Sequence, residues 1–168
     1  NNGLMKNLLG RHLNGEEDVR ESMKHGTLAL GYIGIAECMY AMFGETHAHN
    51  KDVYNFALKI VQRINSFAKE CVERNHLNFS CYATPAEGSC FTLRNKLVEK
   101  YGIIKGVTDR KYITNSHHIP VYEKISIKDK IDLEAPFSKL ATGGYILYVE
   151  LESSFMNNIS AVEKIIDY

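Results

Sequence analysis

The chain has 168 residues, 45% of them hydrophobic and 24% charged, so it is long enough for one domain with a hydrophobic core. Its 20 basic and 20 acidic side chains cancel, which argues against a general electrostatic attraction to nucleic acid or to a membrane surface. No apolar run reaches the roughly 20 residues that cross a bilayer, and the first ten residues lack the apolar core of a signal peptide. We therefore expect a cytoplasmic protein that binds neither DNA nor membrane directly. Since residue 1 is not Met, we also expect a fragment.

Helices and short strands are predicted to alternate along the first half of the chain. Residues 16–25 are charged and predict a short helix that stops at Gly26. Residues 27–35 predict a short apolar strand or turn, and residues 36–43 predict a buried helix that ends at Gly44. In residues 50–75, apolar side chains recur at three- and four-residue spacing, which predicts a long amphipathic helix.

The second half begins with a strand that runs directly into a helix. Residues 77–83 alternate apolar and polar side chains, which predicts a strand. Thr84 suits a helix N-cap, Pro85 suits the first helical position, and a helix to about Tyr101 follows. Further predictions are a turn-rich segment over 106–120, a polar connection over 126–130, a short helix over 132–141, a strand over 145–151 and a last helix over 160–168.

This mixed order of helices and short strands favours an α/β architecture with mostly parallel strands. The strands are few for so many helices, and a closed barrel would need more of them. We therefore expect residues 1–168 to form a single helix-rich segment of a barrel or of a partly open sheet.

One stretch, residues 77–89, joins a strand to a helix start that is rich in small and hydroxyl-bearing residues. The unpaired N–H groups and the dipole of a helix start favour an anion such as phosphate. Ser80, Thr84 and Ser89 offer further donors. The carboxylate of Glu87 would repel a phosphate unless it caps its own helix. From spacing alone, an anion site and a plain capping box both remain open.

Signals for metal binding and for nucleophilic catalysis are weak. The four cysteines lack a C-x-x-C pair, and we interpret them as reduced, mostly buried thiols, with a disulfide framework as the alternative: Cys38, Cys71, Cys81 and Cys90. His117 and His118 are neighbours that would face opposite sides of a strand, so we predict no metal site there. No G-x-S-x-G elbow occurs, and we assign no catalytic residue. Gly143 and Gly144 indicate either a tight turn or a close approach of the backbone to a ligand.

Four blocks of sequence resemble, in this order, the class III (anaerobic) ribonucleotide reductases. The blocks are residues 26–37 with Phe43-Gly44, residues 78–87, residues 106–116 and residues 143–150. The resemblance extends from about residue 11 to the last residue. Four blocks in the family's order are far more specific than any one of them.

The resemblance implies a segment of the ten-stranded α/β barrel of glycyl radical enzymes. Such reductases convert ribonucleoside triphosphates to 2′-deoxyribonucleoside triphosphates by radical chemistry. A glycyl radical passes its spin to a cysteine on a loop inside the barrel, and formate or a dithiol supplies electrons. The parent enzyme is expected to carry a structural zinc, to form a homodimer and to need a radical-SAM activating enzyme.

The resemblance also implies roles for particular residues. The predicted phosphate-holding residues are Ser80, Tyr82, Thr84, Pro85, Ala86, Glu87, Gly88 and Ser89. Candidates for lining the active site are Asn115, Ser116, His118, Gly143 and Gly144.

The sequence also departs from the family's pattern. His117 stands where the family leads us to expect Phe, and Tyr145 where it leads us to expect His. The family's radical-loop motif, zinc cysteines and radical glycine have no match in these residues, so we expect no cofactor here, none of the four cysteines as the radical site and no turnover by this chain alone. The alternatives are a stand-alone nucleotide- or phosphate-binding module without catalysis and a purely structural interaction domain.

Overall fold

The computed structural model describes residues 26–151 and 158–168. They form two strands and five helices: β1 (Thr27–Tyr32), α1 (Ile35–Phe43), α2 (Lys51–Asn75), β2 (Asn78–Ala83), α3 (Glu87–Tyr101), α4 (Ile127–Ser138) and α5 (Ile159–Ile166). β1 and β2 pair in parallel, from Thr27 opposite Asn78 to Tyr32 opposite Ala83. The predicted helix-rich α/β segment with few strands is confirmed. The helix predicted over residues 16–25 lies outside the described residues.

Local sequence explains α2, the longest helix. The Asn50 side chain accepts hydrogen bonds from the N–H groups of Asp52 and Val53, which have no partner inside the helix. The buried face follows the helical period, at Val53, Ala57, Val61, Asn65 and Ala68. None of the described helices is both long enough and apolar enough to cross a membrane.

The hydrophobic core lies between the sheet, α1, α2 and the end of α4. It contains Tyr32, Ile35, Met39, Val53, Ala57, Val61, Cys81, Ala83, Phe137 and Ala141. Phe137 is fully buried and meets the ring of Tyr54 edge-on, with 5.4 Å between the ring centroids. This contact ties α4 to α2 and places the segment before α4 close to the strands.

The predicted start of α3 is wrong. The helix begins at Glu87, with Ala86 in the N-cap position and no side-chain cap. Thr84 does not cap the helix, since its hydroxyl lies 3.4 Å from the carbonyl oxygen of Tyr82 and its side chain packs against Gly31 of β1. The backbone at the helix start is held from outside, because Ala86 N–H donates to Asn115 Oδ1 at 3.0 Å.

Two predictions in the last third are also wrong. Residues 126–130 are not a polar connection, because Ser126 caps α4 by accepting a hydrogen bond from Asp129 N–H, and the helix begins at Ile127. Residues 145–151 do not form a strand. Gly143 N–H donates to Cys81 O and Ala83 N–H donates to Gly144 O, so residues 143 and 144 join the edge of β2 at its last residues. The chain then runs past the end of β2, where no described strand can pair with it.

Candidate functional site

The loop between β2 and α3 forms a helix start with N–H groups directed outward. Ser89 N–H and Cys90 N–H both donate to the carbonyl oxygen of Ala86, at 2.6 and 3.1 Å. No described residue accepts a hydrogen bond from the backbone N–H of Glu87 or Gly88. The Glu87 side chain is exposed, so its carboxylate lies in water at the positive end of the helix dipole.

The three hydroxyl groups predicted for this loop lie at different depths. Ser80 is 6% exposed, and its Oγ has no hydrogen-bond partner among the described residues. It lies beneath Gly143, where an added Cβ would be 2.6 Å from that oxygen. Thr84 is half-buried and Ser89 is exposed on the first turn of α3. The close neighbour of Gly143 is thus a protein side chain; the approach of this backbone to a ligand, the alternative to a tight turn, stays a prediction.

A short segment, residues 114–119, connects the loop to the rest of the domain; we call it the connecting segment. Its carbonyl oxygens at Thr114 and Ser116 accept hydrogen bonds from Gly34 N–H and Ile35 N–H at the start of α1, at 2.9 and 3.1 Å. Asn115 Oδ1 accepts from the start of α3 and from the Cys90 thiol, at 3.0 and 2.9 Å. The segment therefore fixes the starts of two helices relative to each other.

Glu37 of α1 holds Thr114, the first residue of the connecting segment, by two hydrogen bonds. Its Oε1 accepts hydrogen bonds from Thr114 N–H at 2.8 Å and from the Thr114 hydroxyl at 2.7 Å, while Oε2 is buried without a partner. Burial raises the pKa of Glu37, although the bonds from Thr114 oppose that effect. Burial, with a smaller contribution from Glu37, also raises the pKa of the Cys90 thiol. Burial and the nearby Glu37 both favour the neutral form of the Cys90 thiol, which is a poor nucleophile.

Glu134 of α4 holds the other end of the connecting segment. Its side chain is 1% exposed; Oε2 lies 2.8 Å from His118 Nδ1, Oε1 accepts from Ile119 N–H at 2.8 Å, and Lys130 also contacts Oε1. Burial would raise the pKa of Glu134, but the hydrogen bonds and charges of His118 and Lys130 outweigh it and lower that pKa. Glu134 is therefore an ionised carboxylate with both oxygens satisfied.

The His117 side chain, unlike that of His118, points into the hydrophobic core. Its Nδ1 is 2.7 Å from the Tyr32 hydroxyl, and its ring stacks on Phe137 with a centroid distance of 5.1 Å. His47 Nε2 lies 2.9 Å from the His117 carbonyl oxygen. Burial lowers the pKa of His117 to about 3 and also lowers the pKa of His47. Both imidazoles are therefore neutral near pH 7.

The structure brings most of the predicted site residues together. Residues 80–89, Asn115, Gly143 and Gly144 surround the end of β2 and the start of α3, while His118 lies one turn further along the connecting segment. Sequence reasoning missed the residues that hold this arrangement: Tyr32, Glu37, His47 and Glu134. Their partners lie 16 to 85 residues away along the chain, so no local spacing could reveal them.

The described residues do not fit the zinc site that the resemblance implies for the parent enzyme. Among them, no three His, Cys, Asp or Glu side chains are grouped so that they could hold a metal ion. The four cysteines are unpaired thiols.

Comparison with solved structures shows the class of fold. The chain superposes on the anaerobic ribonucleotide reductase from Thermotoga maritima, solved with glycerol in the active site, with a TM-score of 0.63 and 19% identity over 83% of this chain and 23% of that one. A second structure of the Thermotoga maritima enzyme, with citrate in the active site, gives a TM-score of 0.61 and 17% identity over 82% and 25% of the two chains. The described α/β segment thus has the fold of part of an anaerobic ribonucleotide reductase.

Sequence comparison identifies the family. The model of the anaerobic ribonucleoside-triphosphate reductase family matches residues 3–168. The anaerobic ribonucleoside-triphosphate reductase of Escherichia coli is 38% identical over 98% of this chain and 23% of its own length, and that of Enterobacteria phage T4 is 38% identical over 95% and 25%. The chain belongs to this family, as its four sequence blocks predicted, and spans about a quarter of the length of these relatives.

Proposed function

We propose that this chain is part of an anaerobic ribonucleotide reductase, which converts ribonucleoside triphosphates to 2′-deoxyribonucleoside triphosphates by radical chemistry. In that enzyme it contributes barrel wall and the loop that holds the substrate phosphates. One structural observation supports the phosphate-binding part of this proposal. At the start of α3, the N–H groups of Glu87 and Gly88 have no acceptor among the described residues, and Asn115 holds the preceding residue in place.

The chemistry of this helix start suits a phosphate group. Backbone N–H groups at a helix start point outward along the axis, and the helix dipole adds a partial positive charge there. Ser89 is exposed on the first turn of α3, and the half-buried Thr84 hydroxyl, which donates to Tyr82 O at 3.4 Å, would turn from that carbonyl to a bound phosphate. The exposed carboxylate of Glu87 is free to turn into solvent, so it need not face a bound phosphate.

The remaining chemistry of the reaction is proposed to lie in other parts of a reductase. The glycyl radical, the radical cysteine, the structural zinc and the reductant, formate or a dithiol, are not assigned to any residue of this chain. A radical-SAM activating enzyme and a second reductase subunit are the proposed partners. An assay of this chain with activating enzyme, formate and nucleotide should therefore give no deoxynucleotide, and turnover would contradict the assignment.

A titration of ATP, CTP and tripolyphosphate against the chain tests the phosphate loop. Calorimetry should detect binding that tripolyphosphate competes for, and T84A and S89A should each weaken it by about 10- to 150-fold, the range of one hydrogen bond to a charged group. T92A is the matched control, because that exposed hydroxyl lies further along α3 and contacts its own helix at Gly88 O. Equal binding by all variants would contradict the phosphate loop.

A further inference from the structure

His118 and Glu134 form a buried pair that the phosphate loop does not use. His118 is 7% exposed, and its Nδ1 lies 2.8 Å from Glu134 Oε2. An ionised carboxylate can accept but not donate a hydrogen bond, so Nδ1 must carry the hydrogen. When the ring is neutral, Nε2 is then unprotonated and carries a lone pair. Glu134 thereby sets both the tautomer and the ring orientation, as carboxylates do for histidines that act through the other nitrogen.

The Nε2 edge of His118 has no hydrogen-bond partner among the described residues. It also differs from the fully enclosed side-chain atoms without partners, which belong to Glu37, His47, Ser80 and His117. The ring of Tyr148 meets His118 edge-on, with 5.2 Å between the centroids, and Tyr148 belongs to the extended stretch that follows Gly143 and Gly144. His118 therefore offers a hydrogen-bond acceptor beside the residues that flank the end of β2.

A single turn connects this acceptor to the phosphate loop. His118 N–H donates to Asn115 O at 3.0 Å, and the side chain of the same Asn115 accepts from Ala86 N–H at the start of α3. Residues that close such a turn have Cα atoms within about 7 Å of each other. Ser116 holds a positive φ of 36° inside the turn, a conformation that needs support from its surroundings. The path from the helix start to His118 therefore runs through one residue, Asn115, whose side chain holds Ala86 and whose carbonyl oxygen closes the turn.

We propose that Nε2 of His118 accepts a hydrogen bond from a ribose hydroxyl of a nucleotide whose phosphates lie at the start of α3. The inference rests on the proposed function and extends it by a group that distinguishes ribose from deoxyribose. Glu134 is the positioning residue, since it holds the imidazole in the accepting tautomer. A neutral acceptor suits a hydroxyl, which donates one hydrogen, and gives nothing to a phosphate, which donates none near neutral pH.

The affinities of CTP, 2′-deoxy-CTP and 3′-deoxy-CTP for the chain test this proposal, with tripolyphosphate as the sugar-free probe. At least one deoxy analogue should bind about 5- to 10-fold more weakly than CTP, the range of one hydrogen bond. H118F should abolish that preference without changing the affinity for tripolyphosphate. H118Q should retain part of it, because the amide oxygen can accept near the same place. H49Q is the matched control, since His49 pairs with Glu123 on the surface, with a side chain 55% exposed.

Nitrogen-15 NMR of the histidine rings gives a readout that needs no ligand. Wild-type His118 should have hydrogen on Nδ1 and none on Nε2, and E134Q should change that tautomer balance. A protonated Nε2 in the wild-type ring near neutral pH, whether the ring carries one hydrogen or two, would overturn the proposal. So would equal affinities for CTP and both deoxy analogues, even if tripolyphosphate binds; that result would leave the phosphate loop standing. A ribose preference without tripolyphosphate binding would have the opposite meaning, supporting His118 and contradicting the loop.

Discussion

The Tyr32 hydroxyl lies 2.7 Å from His117 Nδ1, although the two residues are 85 positions apart. The contact joins the last residue of β1 to the connecting segment, inside the core. His117 Nε2 has no partner among the described residues, and the ring is completely buried against Phe137. Burying an imidazole in this way disfavours its charged form, which lowers the pKa of His117 to about 3.

This depressed pKa predicts that acid destabilises the fold. An unfolded histidine has a pKa of about 6.5, so between about pH 6.5 and pH 3 the unfolded chain binds a proton that folded His117 does not. Stability is fully present above pH 6.5 and should fall as the pH drops, by up to about 1.4 kcal/mol per pH unit for each such histidine. His47, whose pKa is also lowered by burial, contributes in the same direction. Urea unfolding at a series of pH values measures the effect.

His117→Phe is the variant that separates this effect from general acid denaturation. Phe cannot be protonated and can stack on Phe137. Between pH 6.5 and pH 4, the free energy of unfolding should therefore fall less in this variant than in the wild type, by the contribution of one histidine. Tyr32→Phe is the control. It removes the hydroxyl but keeps the imidazole buried. It should therefore lower the free energy of unfolding by about 1 kcal/mol without changing how that free energy depends on pH. An unchanged slope in His117→Phe would show that His117 is not the group responsible.

A second prediction concerns Glu134, which serves three donors at once. Glu134→Leu leaves His118 Nδ1–H, Ile119 N–H and the Lys130 ammonium without their acceptor in a buried place. Removing one member of a buried charged network costs about 3–5 kcal/mol, so this variant should be severely destabilised in urea unfolding. Glu134→Gln keeps an acceptor oxygen and should lose less.

Asp132→Asn on the same helix provides the control for this prediction. Asp132 pairs with Lys128 in a solvent-exposed position, with side chains 53% and 64% exposed, and such surface pairs contribute at most about 1 kcal/mol. If Glu134→Leu were no more destabilising than Asp132→Asn, the buried network would not be holding the connecting segment.

The accuracy of the sequence predictions follows from the range of the interactions involved. The predicted limits of α2 agree with the structure to within one residue, because a capping Asn and a helical apolar period are local features. The start of α3 was misplaced because its anchor, Asn115, lies 29 residues further along the chain. Residues 145–151 have the composition of a strand, but a strand exists only where another strand pairs with it. The residues of this segment do not themselves determine whether a partner strand is present.

The same reasoning applies to the site. The loop and the glycines at 143 and 144 carry local signals, so the sequence pointed to them. Glu134 carried none, because it belongs to a helix whose start was misread and two of its three partners, His118 and Ile119, lie 16 and 15 residues away. The two adjacent histidines face different directions, as expected, but they lie in a turn and not on the strand from which this was argued: His117 bonds to Tyr32 in the core and His118 to Glu134.

A third prediction concerns the four thiols, which differ in accessibility. Cys38 is exposed and Cys71 half-buried, whereas Cys81 and Cys90 are buried. Brief alkylation with iodoacetamide followed by peptide mass spectrometry should modify Cys38 and Cys71 in the folded chain, and all four after unfolding. Although Cys38 is exposed as a residue, partial burial of its thiol raises the pKa, so its labelling should be slow at neutral pH and speed up as the pH rises. Labelling of Cys90 as fast as Cys38 would contradict its burial beside Asn115.

The last prediction concerns the close packing of Gly31 on β1 against Thr84 in the proposed phosphate loop. A Cβ added at Gly31 would lie 2.2 Å from Thr84 Oγ1, far inside contact distance. Gly31→Ala should therefore displace the loop and destabilise the chain by about 1–3 kcal/mol, the usual cost of overpacking. Thr84→Ala removes the clashing oxygen, so the double variant should recover much of that loss. Urea unfolding of the four proteins in a double-mutant cycle measures the coupling.

Gly88→Ala is the matched control, because nothing lies within 4 Å of the added methyl group and Gly88 is helical. It should be neutral or slightly stabilising, as expected for Ala in place of Gly in a helix. Additive effects of Gly31→Ala and Thr84→Ala would mean that the two residues do not constrain each other. Strong coupling would show that a glycine on β1 sets the position of Thr84, since no side chain other than hydrogen leaves room for that hydroxyl between the strand and the loop.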